Sequence, residues 1–409
     1  MTNGLLISTT SPDTVARLLF MMTALGAALL CSSWTMARAA GEEAPDAIVN
    51  VFSDGDAGYP RFRIPVLVAL DDNVLLAFAE GRSPTFPGQH DDHAQNDIVL
   101  RRSVDGGATW GPVQVVAEMG ADSLNDPCAV ALTGSGRVLL MYQRFPEGYH
   151  ARRMAHAEMA TPGYGGPDNT QTFMIHSDDS GVTWSAPREI TRSVRDEGVV
   201  SVGSPGVGIV LSRGSQAGRV LLPLYEVIPV EDAPGEERYW RNRVAISDDQ
   251  GATWRLGERV PIDGLEGYGN ECQLAELANG DIRMNARLQS GANRLAWSVS
   301  RNGGESWTSM KEAPELVTTP CMASLISIPV DNDRWLLASL PNSEEGRENG
   351  ALFISRDGGE HWTRQQTIYP NGFAYSSLAL LPDGRIGCLF ERGPYEYLSF
   401  KAFTLGTPE

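Results

Sequence analysis

One eight-residue pattern recurs along the 409-residue chain and restricts the fold more than any other feature. The pattern S-x-D-x-G-x-T-W is complete three times, two partial copies follow it, and a short β-like run precedes each copy. Aspartate bonds to nearby backbone amides and glycine permits a positive φ, so each copy predicts a tight turn covered by its tryptophan. Five copies indicate a repeated hairpin. The copies span residues 103–110, 177–184, 247–254, 300–307 and 355–362.

A second repeat places a turn signal before an apolar run six times, and an octamer follows each of the first five runs. Two hairpins per unit predict an all-β fold, a six-bladed β-propeller with four antiparallel strands per blade. A β-sandwich holds as many strands but gives no reason for this pair of hairpins to repeat. We expect the sixth blade to close with strands near residues 47–53 and 397–405. The six runs begin at Val74, Val138, Val220, Ile282, Trp335 and Ile386.

Charged side chains and one tyrosine stand where the first hairpins open, on the face opposite to the octamers in this topology. Ionised groups are costly to bury, so these chains are expected around a solvated central funnel. They are Arg63, Glu80 and Arg82 in the first unit, Glu271 and Arg287 in the fourth, Arg347 in the fifth, and Tyr375 and Glu391 in the sixth.

Simple counting across the turns gives a register for two of these hairpins. A two-residue turn at Asn279-Gly280 pairs Arg287 with Cys272. The same count across the turn at residues 72–73 places Arg82 opposite Arg63. Glu271 and Arg287 are neighbours at one end of their hairpin, but the register alone does not fix whether they face each other.

The amino-acid composition limits the classes of ligand that the chain is expected to bind. The formal net charge of −18, from 51 acidic and 33 basic side chains, repels nucleic acid and anionic membranes. If the ligand is an anion, a local cluster of arginines must bind it against the global field. The cysteines Cys128, Cys272, Cys321 and Cys388 lack metal-ligand spacing, so we expect buried free thiols rather than a zinc site.

The first forty residues resemble a secretory signal. Arg17 precedes the apolar run 18–30, and "MARAA" supplies a cleavage site near Ala39. The run is shorter than the roughly 18 to 20 apolar residues of a membrane span. We therefore expect a secreted or periplasmic protein, with residues 41–409 forming one propeller domain that is not inserted in a membrane after the signal is removed.

Several motifs occur together in one order: "FRIP" at residues 62–65, the octamers, "NECQLAEL", "NARL", "FAYSSLALLPDG" and "CLFE". Their combination resembles the exo-α-sialidase (neuraminidase) family with Asp-box (BNR) repeats. The resemblance runs from about Arg61 to Arg392. It implies the propeller fold and an enzyme that acts on sialylated oligosaccharides, glycoproteins or glycolipids.

The resemblance also assigns roles to the charged residues. Arg63, Arg287 and Arg347 would bind the sialic acid carboxylate, because guanidinium groups make charge-assisted, bidentate bonds to carboxylates. Glu391 would orient Arg63, and Arg82 would be a secondary contact near the carboxylate. Taken one at a time, each arginine is as readily explained by a surface ion pair worth roughly 0 to 1 kcal/mol.

Tyr375 would be the nucleophile and Glu271 its base. Sialidases with a Tyr nucleophile depart from the usual pair of carboxylates, and a neutral phenol avoids repulsion by the substrate carboxylate. The general acid is assigned to Asp91, eleven residues before Arg102, with Asp92 as the alternative. Asp97, beside the next strand, is expected to belong to local structure.

The resulting hypothesis is a monomeric, retaining exo-α-sialidase that requires no metal or cofactor. Three alternatives stay open: a trans-sialidase, with Trp240 as an acceptor platform; a hydrolase of 2-keto-3-deoxynononic acid; and a non-catalytic propeller that binds sialoglycans. Tyr225 and Glu226 are expected near the funnel, and Asp126 in a structural role. Glu147 and residues 147–159 are candidates for the acyl pocket.

Overall fold

Strands dominate the residues that the structure describes, and the predicted all-β class is confirmed. The computed structural model describes Met1 and residues 47–83, 94–132, 134–151, 157–200, 203–229, 238–289, 291–331 and 333–406. Within these ranges there are one α-helix, α1 (Thr191–Val194), and two 3₁₀ turns (Asp56–Gly58 and Gly214–Gln216). No described helix is long and apolar enough to cross a membrane. The predicted signal falls outside the described residues, apart from Met1.

The described residues of the unit Ala47–Glu409 form 26 strands. The first thirteen are β1 (Val49–Ser53), β2 (Arg61–Ala69), β3 (Leu75–Ser83), β4 (Gln95–Ser103), β5 (Gln114–Ala117), β6 (Ser123–Ala131), β7 (Val138–Phe145), β8 (Tyr149–His150), β9 (Glu158–Met159), β10 (Gln171–Ser177), β11 (Arg188–Glu189), β12 (Gly206–Val207) and β13 (Ile209–Val210). The other thirteen are β14 (Val220–Pro229), β15 (Arg238–Ser247), β16 (Arg255–Leu256), β17 (Gly269–Glu276), β18 (Ile282–Leu288), β19 (Arg294–Ser300), β20 (Lys311–Val317), β21 (Ser324–Val330), β22 (Asp333–Pro341), β23 (Glu348–Ser355), β24 (Thr363–Leu380), β25 (Ile386–Arg392) and β26 (Tyr397–Phe403).

Most neighbouring strands in a sheet are consecutive in the chain and antiparallel. Strands β13 to β16 and β17 to β20 each form a four-stranded sheet in sequence order. A nine-stranded sheet contains β2 to β7 with β10 to β12, and a seven-stranded sheet contains β21 to β26 with β1. As predicted, the N-terminal strand closes onto the C-terminal one, with Val49 opposite Phe400.

The octamers form the turns that their residues predict. In all five, the serine Oγ accepts a hydrogen bond of 2.8 or 2.9 Å from the glycine N–H four residues later. In the second copy, Asp179 accepts bonds from both the N–H and the Oγ1 of Thr183, at 2.8 and 2.6 Å. In the first copy, Trp110 covers the turn and donates its indole N–H to the Gly107 carbonyl.

Four of the octamers also pack against an earlier sheet, and the first packs against Phe400 in β26. Gly181 has φ of +84°, and a Cβ there would lie 2.7 Å from Leu76 in β3. Glycine at this position therefore satisfies both the turn and the close approach between sheets. Of the five cysteines in the sequence, the four that the structure describes are buried and free, as predicted.

Bulges interrupt four strands near the same end of the fold. Pairing shifts between Arg63 and Val66 in β2, and between Asn125 and Cys128 in β6. It also shifts within residues 269–272 of β17 and 373–376 of β24. A bulge bends its strand and redirects the side chains beside it. The side chains at these four positions therefore point in directions that they would not take in a regular ladder.

Both predicted registers are wrong. Arg63 lies opposite Glu80, and Arg82 lies opposite Arg61. The turn at residues 71–73 has three residues rather than two, which shifts the pairing by one, and the bulge at Ile64, with a φ of +62°, shifts it by one more. In the fourth unit Cys272 lies opposite Ala286 rather than Arg287. There the turn has three residues rather than two, ending in Gly280 with φ of +87°, which is a common hairpin geometry.

Candidate active site

Arg63 and Glu391 form a bidentate ion pair in the site. The Arg63 Nε and Nη2 atoms donate to the two oxygens of Glu391 at 2.8 and 3.0 Å. The same carboxylate accepts the backbone N–H groups of Ile64 and Tyr375, each at 3.1 Å. Burial opposes ionisation of Glu391, but Arg63 and the Ile64 amide outweigh it and lower the pKa of the carboxyl below its usual value. Glu391 thus joins β2, β24 and β25 around Arg63.

Tyr375 lies in the bulge of β24, and its hydroxyl donates a short hydrogen bond to Glu271 Oε1. Arg287 Nη1 donates to the other oxygen, Glu271 Oε2, at 2.9 Å and to Tyr375 Oη at 3.0 Å. The phenol, carboxylate and guanidinium therefore contact one another, although Tyr375 is far from the other two in sequence. This arrangement gives the phenol a proton acceptor and a cation that stabilises the phenolate.

Arg347 approaches the same tyrosine from the loop between β22 and β23. Its Nη2 donates to the Pro320 carbonyl at 3.0 Å, and its Nη1 donates to Tyr395 Oη at 3.3 Å. The guanidinium carbon lies 5.1 Å from the centre of the Tyr375 ring, and that of Arg63 lies 5.3 Å from it. Three guanidinium groups therefore surround one phenol.

Burial and charge act together on the ionisation of this cluster. Burial raises the pKa of Tyr375 well above 10; Glu271 adds to the rise, and Arg287 and Arg347 oppose it. The pKa of Arg287 is raised by Glu271 and Tyr375 despite its burial. At neutral pH the resting site therefore holds a neutral phenol and cationic arginines. The phenol can act as a nucleophile only if its proton passes to a neighbour.

Arg82 is almost fully buried beside Glu80. Its Nε and Nη2 atoms both donate to Glu80 Oε2, at 2.9 and 2.6 Å. The other oxygen of Glu80 accepts the Asp126 N–H at 2.9 Å. Arg82 and Glu80 thus form a buried pair that supports the bulge of β6 as well as lining the cleft.

One cleft of about 830 Å³, including its open mouth, collects these groups. Its lining includes six of the eight predicted site residues: Arg63, Arg82, Glu271, Arg287, Arg347 and Tyr375. Glu391 lies behind Arg63 rather than in the lining. The structure therefore brings seven of the eight residues together, from six strands and one loop.

The eighth residue, Asp91, lies outside the described residues, as does its alternative, Asp92. Asp97 is described and belongs to local structure, since it accepts a hydrogen bond of 2.6 Å from Tyr59 Oη. In the part of the chain that the structure describes, no cluster of three or more His, Cys, Asp or Glu side chains is arranged to hold a metal ion.

Sequence reasoning missed part of the cleft wall. Asp126, which was expected to be structural, lines the cleft and accepts a hydrogen bond of 2.8 Å from Tyr225 Oη. Tyr225 lines the cleft as expected, whereas Glu226 is buried against Arg243. Successive side chains of a strand alternate between its two faces. Along β14 this alternation is the signal that could have placed Tyr225, but not Glu226, on the cleft wall.

An apolar surface of the cleft comes from β7, β14 and β15, and from the residue that follows β8. Phe145, Ala151, Val227 and Trp240 line it. Trp240 lies opposite Val227 in the ladder, so one face of this hairpin supplies both. Glu147, a candidate from sequence, does not line the cleft. An anion clamp and an apolar wall in one cleft suit a ligand with a carboxylate and an apolar substituent.

Comparison with known families identifies one profile: residues 73–388 match the family described as a BNR repeat-like domain. Among curated proteins, the chain is 32% identical over 373 residues to a sialidase of Micromonospora viridifaciens, covering 86% of this chain and 53% of that protein. It is 30% identical over 378 residues to mouse Sialidase-2, covering 85% of this chain and 93% of that protein. The chain spans about half the length of the first relative and nearly all of the second.

Solved structures share the fold. The Hadza microbial sialidase Hz136 aligns with a TM-score of 0.72 at 24% identity, over 88% of this chain and 68% of that one. The intramolecular trans-sialidase of Ruminococcus gnavus aligns with a TM-score of 0.70 at 23% identity, over 88% and 98%. At these identities the matches establish a β-propeller-type architecture and nothing finer.

Proposed function

Because this chain belongs to the sialidase family, we propose that it is a retaining exo-α-sialidase, which hydrolyses terminal α-linked sialic acids from glycoconjugates through a tyrosyl intermediate. The observation that carries the proposal is the contact of Tyr375 with both Glu271 and Arg287. A buried phenol with a raised pKa needs both a base and a cation to become a nucleophile, and this site supplies both.

In the proposed reaction, Arg63, Arg287 and Arg347 bind the substrate carboxylate. Tyr375 passes its proton to Glu271 and attacks the anomeric carbon while the bond to the leaving oxygen breaks. The acid role is assigned to Asp91, with Asp92 as the alternative, from sequence alone. This acid protonates the leaving oxygen and then activates the water that cleaves the tyrosyl bond. The arginines also favour the developing phenolate during the second step.

We further propose that the scaffold has six blades of four strands. Two four-stranded sheets are already separate. Strand β4 meets β6 at the single pair Asn96 and Ser123, which marks a boundary in the nine-stranded sheet. Strand β24 pairs with β23 up to Gly372 and with β25 from Phe373, which marks another.

The remaining proposals are a signal in residues 1–40, one domain in residues 41–409, export from the cytoplasm, and a monomer acting on sialylated oligosaccharides, glycoproteins or glycolipids.

A trans-sialidase is the second candidate function, and one observation favours it. Trp240 lines the cleft beside Val227, where its ring offers an apolar platform to an acceptor sugar. The fold is also shared with proteins described as intramolecular trans-sialidases, although at identities that extend only to the fold.

The first test incubates the purified chain with an α-linked sialoside in water and follows the products by chromatography and NMR. Tyr375→Phe should lose at least 10²-fold in kcat, since it removes the nucleophilic oxygen while leaving the arginines. Tyr142→Phe is the matched control, because Tyr142 is buried, and its hydroxyl has no hydrogen-bond partner in the structure.

Retention predicts that the first free sugar is the α-anomer. Transfer of the sugar to an added galactoside, with little free sialic acid, would instead assign the chain as a transferase. An intramolecular product would assign the other transferase class. Equal rates for the parent and Tyr375→Phe would reject Tyr375 as the nucleophile, and a chain that binds but never cleaves sialosides would reject catalysis.

A further inference from the structure

The proposed base, Glu271, lies where its strand has no regular ladder. The pairs between β17 and β18 pass from Gly269 with Leu288 to Cys272 with Ala286, so the bulge leaves Asn270 and Glu271 between them. Buried backbone groups need hydrogen-bond partners, and a bulge removes the ones that a neighbouring strand would give. Side chains must therefore fix the direction of Glu271.

Ser204 provides the most direct of these contacts. Its Oγ accepts a hydrogen bond from the Cys272 N–H at 2.7 Å and donates one to the Cys272 carbonyl at 2.8 Å. Both bonds fall on the residue that directly follows Glu271. Ser204 itself is fully buried, so this serine holds the end of the bulge from a distant part of the chain.

The segment that carries Ser204 is anchored on two sides. Gly206 and Val207 form β12, which pairs in parallel with Cys128 and Ala129 of β6. On the other side, the Pro205 carbonyl accepts a bond of 2.7 Å from Gln273 Nε2. This segment thus bridges β6 and β17, and Ser204 is held in place before any substrate arrives.

Asn242 in β15 holds the beginning of the same bulge. Its Nδ2 donates a short hydrogen bond to the Asn270 carbonyl, and the Asn270 side chain accepts the Glu271 N–H at 2.7 Å. A Cβ on Gly269 would overlap the Asn242 amide, so glycine is required at that position. The two ends of the bulge are therefore fixed by Asn242 and Ser204.

We propose that Ser204, assisted by Asn242, is a positioning residue for the general base, holding Glu271 so that Tyr375 and Arg287 each reach one of its oxygens. This inference rests on the proposed function. Ser204 contacts the backbone after Glu271 and not the reacting atoms, so it acts through the base. Small displacements of a catalytic group are costly, and an error of 1 Å reduces rates by about 10²-fold.

The test compares four proteins: the parent, Ser204→Ala, Ser204→Thr and Ser298→Ala. Ser298 of β19 is the matched control. It is equally buried, but its hydroxyl donates to the Thr308 carbonyl and not to a residue of β17. Steady-state kinetics use an aryl α-sialoside whose leaving group needs no acid. With that substrate any loss reports on the nucleophile and base rather than on Asp91 or Asp92.

We expect Ser204→Ala to lower kcat by about 10- to 100-fold, while KM changes by less than about twofold because Arg63 and Arg347 keep their own contacts. Ser204→Thr keeps the hydroxyl and should recover most of the loss, and Ser298→Ala should match the parent. Amide hydrogen exchange should be faster in the peptide covering residues 269–273 of Ser204→Ala only.

The outcomes separate this inference from the proposed function. An active parent with an equally active Ser204→Ala would reject the positioning role and leave the sialidase proposal intact. A fall in kcat that Ser298→Ala shares would assign the effect to lost stability and also reject it. A parent that releases no sugar from any sialoside would remove the proposed function and, with it, this role for Ser204.

Discussion

At the scale of single residues, Glu391 organises the site without lining the cleft. It accepts two bonds from Arg63 and one backbone bond from each of Ile64 and Tyr375. Its folded-state pKa lies below its ordinary value of about 4.3. The ionised carboxylate therefore stabilises the fold above that pH, and the contribution is lost as the pH falls through the lowered pKa.

Glu391→Gln should lower the free energy of unfolding at pH 7 by about 3 to 5 kcal/mol, because it leaves Arg63 without its buried partner. The difference from the parent should begin to shrink as the pH falls below about 4.3, where the carboxylate of the unfolded chain takes up a proton, and should vanish below the lowered pKa of the folded state. Urea unfolding at pH 7 and at low pH measures both effects. The exposed Glu396→Gln is the control, expected within about 0.5 kcal/mol of the parent. A gap that stays constant with pH would contradict this assignment.

Two glutamates of β17 should separate catalysis from stability. Glu271→Gln should lower kcat by about 10² to 10⁴-fold, because an amide cannot take the Tyr375 proton. Glu276 instead accepts bonds from the backbone N–H groups of Ser212 and Arg213. Glu276→Gln should therefore cost about 1 to 3 kcal/mol of stability and retain the parent kcat. Measuring kcat and urea unfolding for both variants tests this prediction. If Glu276→Gln lost activity and Glu271→Gln lost only stability, the two roles would be exchanged.

At the scale of elements, the octamer is a turn that carries its own hydrogen bonds and also joins two sheets. Its serine binds the glycine N–H within the turn, and the glycine allows a leucine of an earlier sheet to approach closely. The partial copies keep this geometry with other residues. Asn302 takes the aspartate position and accepts the Ser306 N–H at 3.0 Å. The serine and the glycine are thus the parts that the turn needs most.

Ser177→Ala should lower the free energy of unfolding by about 1 to 3 kcal/mol, since the buried Gly181 N–H loses its acceptor. The folded variant should keep the parent kcat, because residue 177 does not line the cleft. Ser193→Ala, at an exposed position of α1, is the control and should change stability by less than about 0.5 kcal/mol. Urea unfolding checks the prediction, and an unchanged midpoint would show that the octamer hydroxyl adds nothing to stability.

At the scale of the whole molecule, one contact between sheets places a charged side chain against an octamer glycine. Leu76, Leu139 and Leu221 are the second residues of β3, β7 and β14, and each packs against an octamer glycine. The corresponding residue of β18 is Arg283, which is fully buried against Gly359. Its Nε donates to Asn285 at 3.0 Å, but its Nη2 has no partner in the structure. Burial lowers the pKa of Arg283 to about 10.

Arg283→Met should raise the free energy of unfolding by about 1 to 4 kcal/mol at pH 7, because it replaces an incompletely bonded buried cation with an apolar chain of similar length. The opposing loss is the contact of the guanidinium with the Trp297 ring, 4.1 Å away, which is worth up to about 2 kcal/mol. Thermal and urea unfolding, with the exposed Arg301→Met as the control variant, measure which of the two effects is larger. A less stable Arg283→Met would show that the ring contact and hydrogen bonds outweigh desolvation.

Much of the fold follows from local sequence. Serine, glycine and an aspartate or asparagine specify each octamer turn through contacts within eight residues, so the hairpins and their order can be read directly. The closure of β1 on β26 follows once the sixth unit lacks an octamer. The registers could not be obtained in this way, because the bulge at Ile64 and the extra residue in each of the turns at 71–73 and 278–280 each shift the pairing by one.

By itself, the sequence determined the repeated hairpins, the family and the residue types at the site, since these depend on local turn chemistry and on motifs in one order. Only the tertiary structure decided which atoms meet. The phenol of Tyr375 reaches Glu271, and Ser204 reaches Cys272, across long stretches of chain. Such contacts depend on bulges and on packing between sheets. Neighbouring residues do not encode those features, because each bulge is stabilised by side chains from another part of the fold.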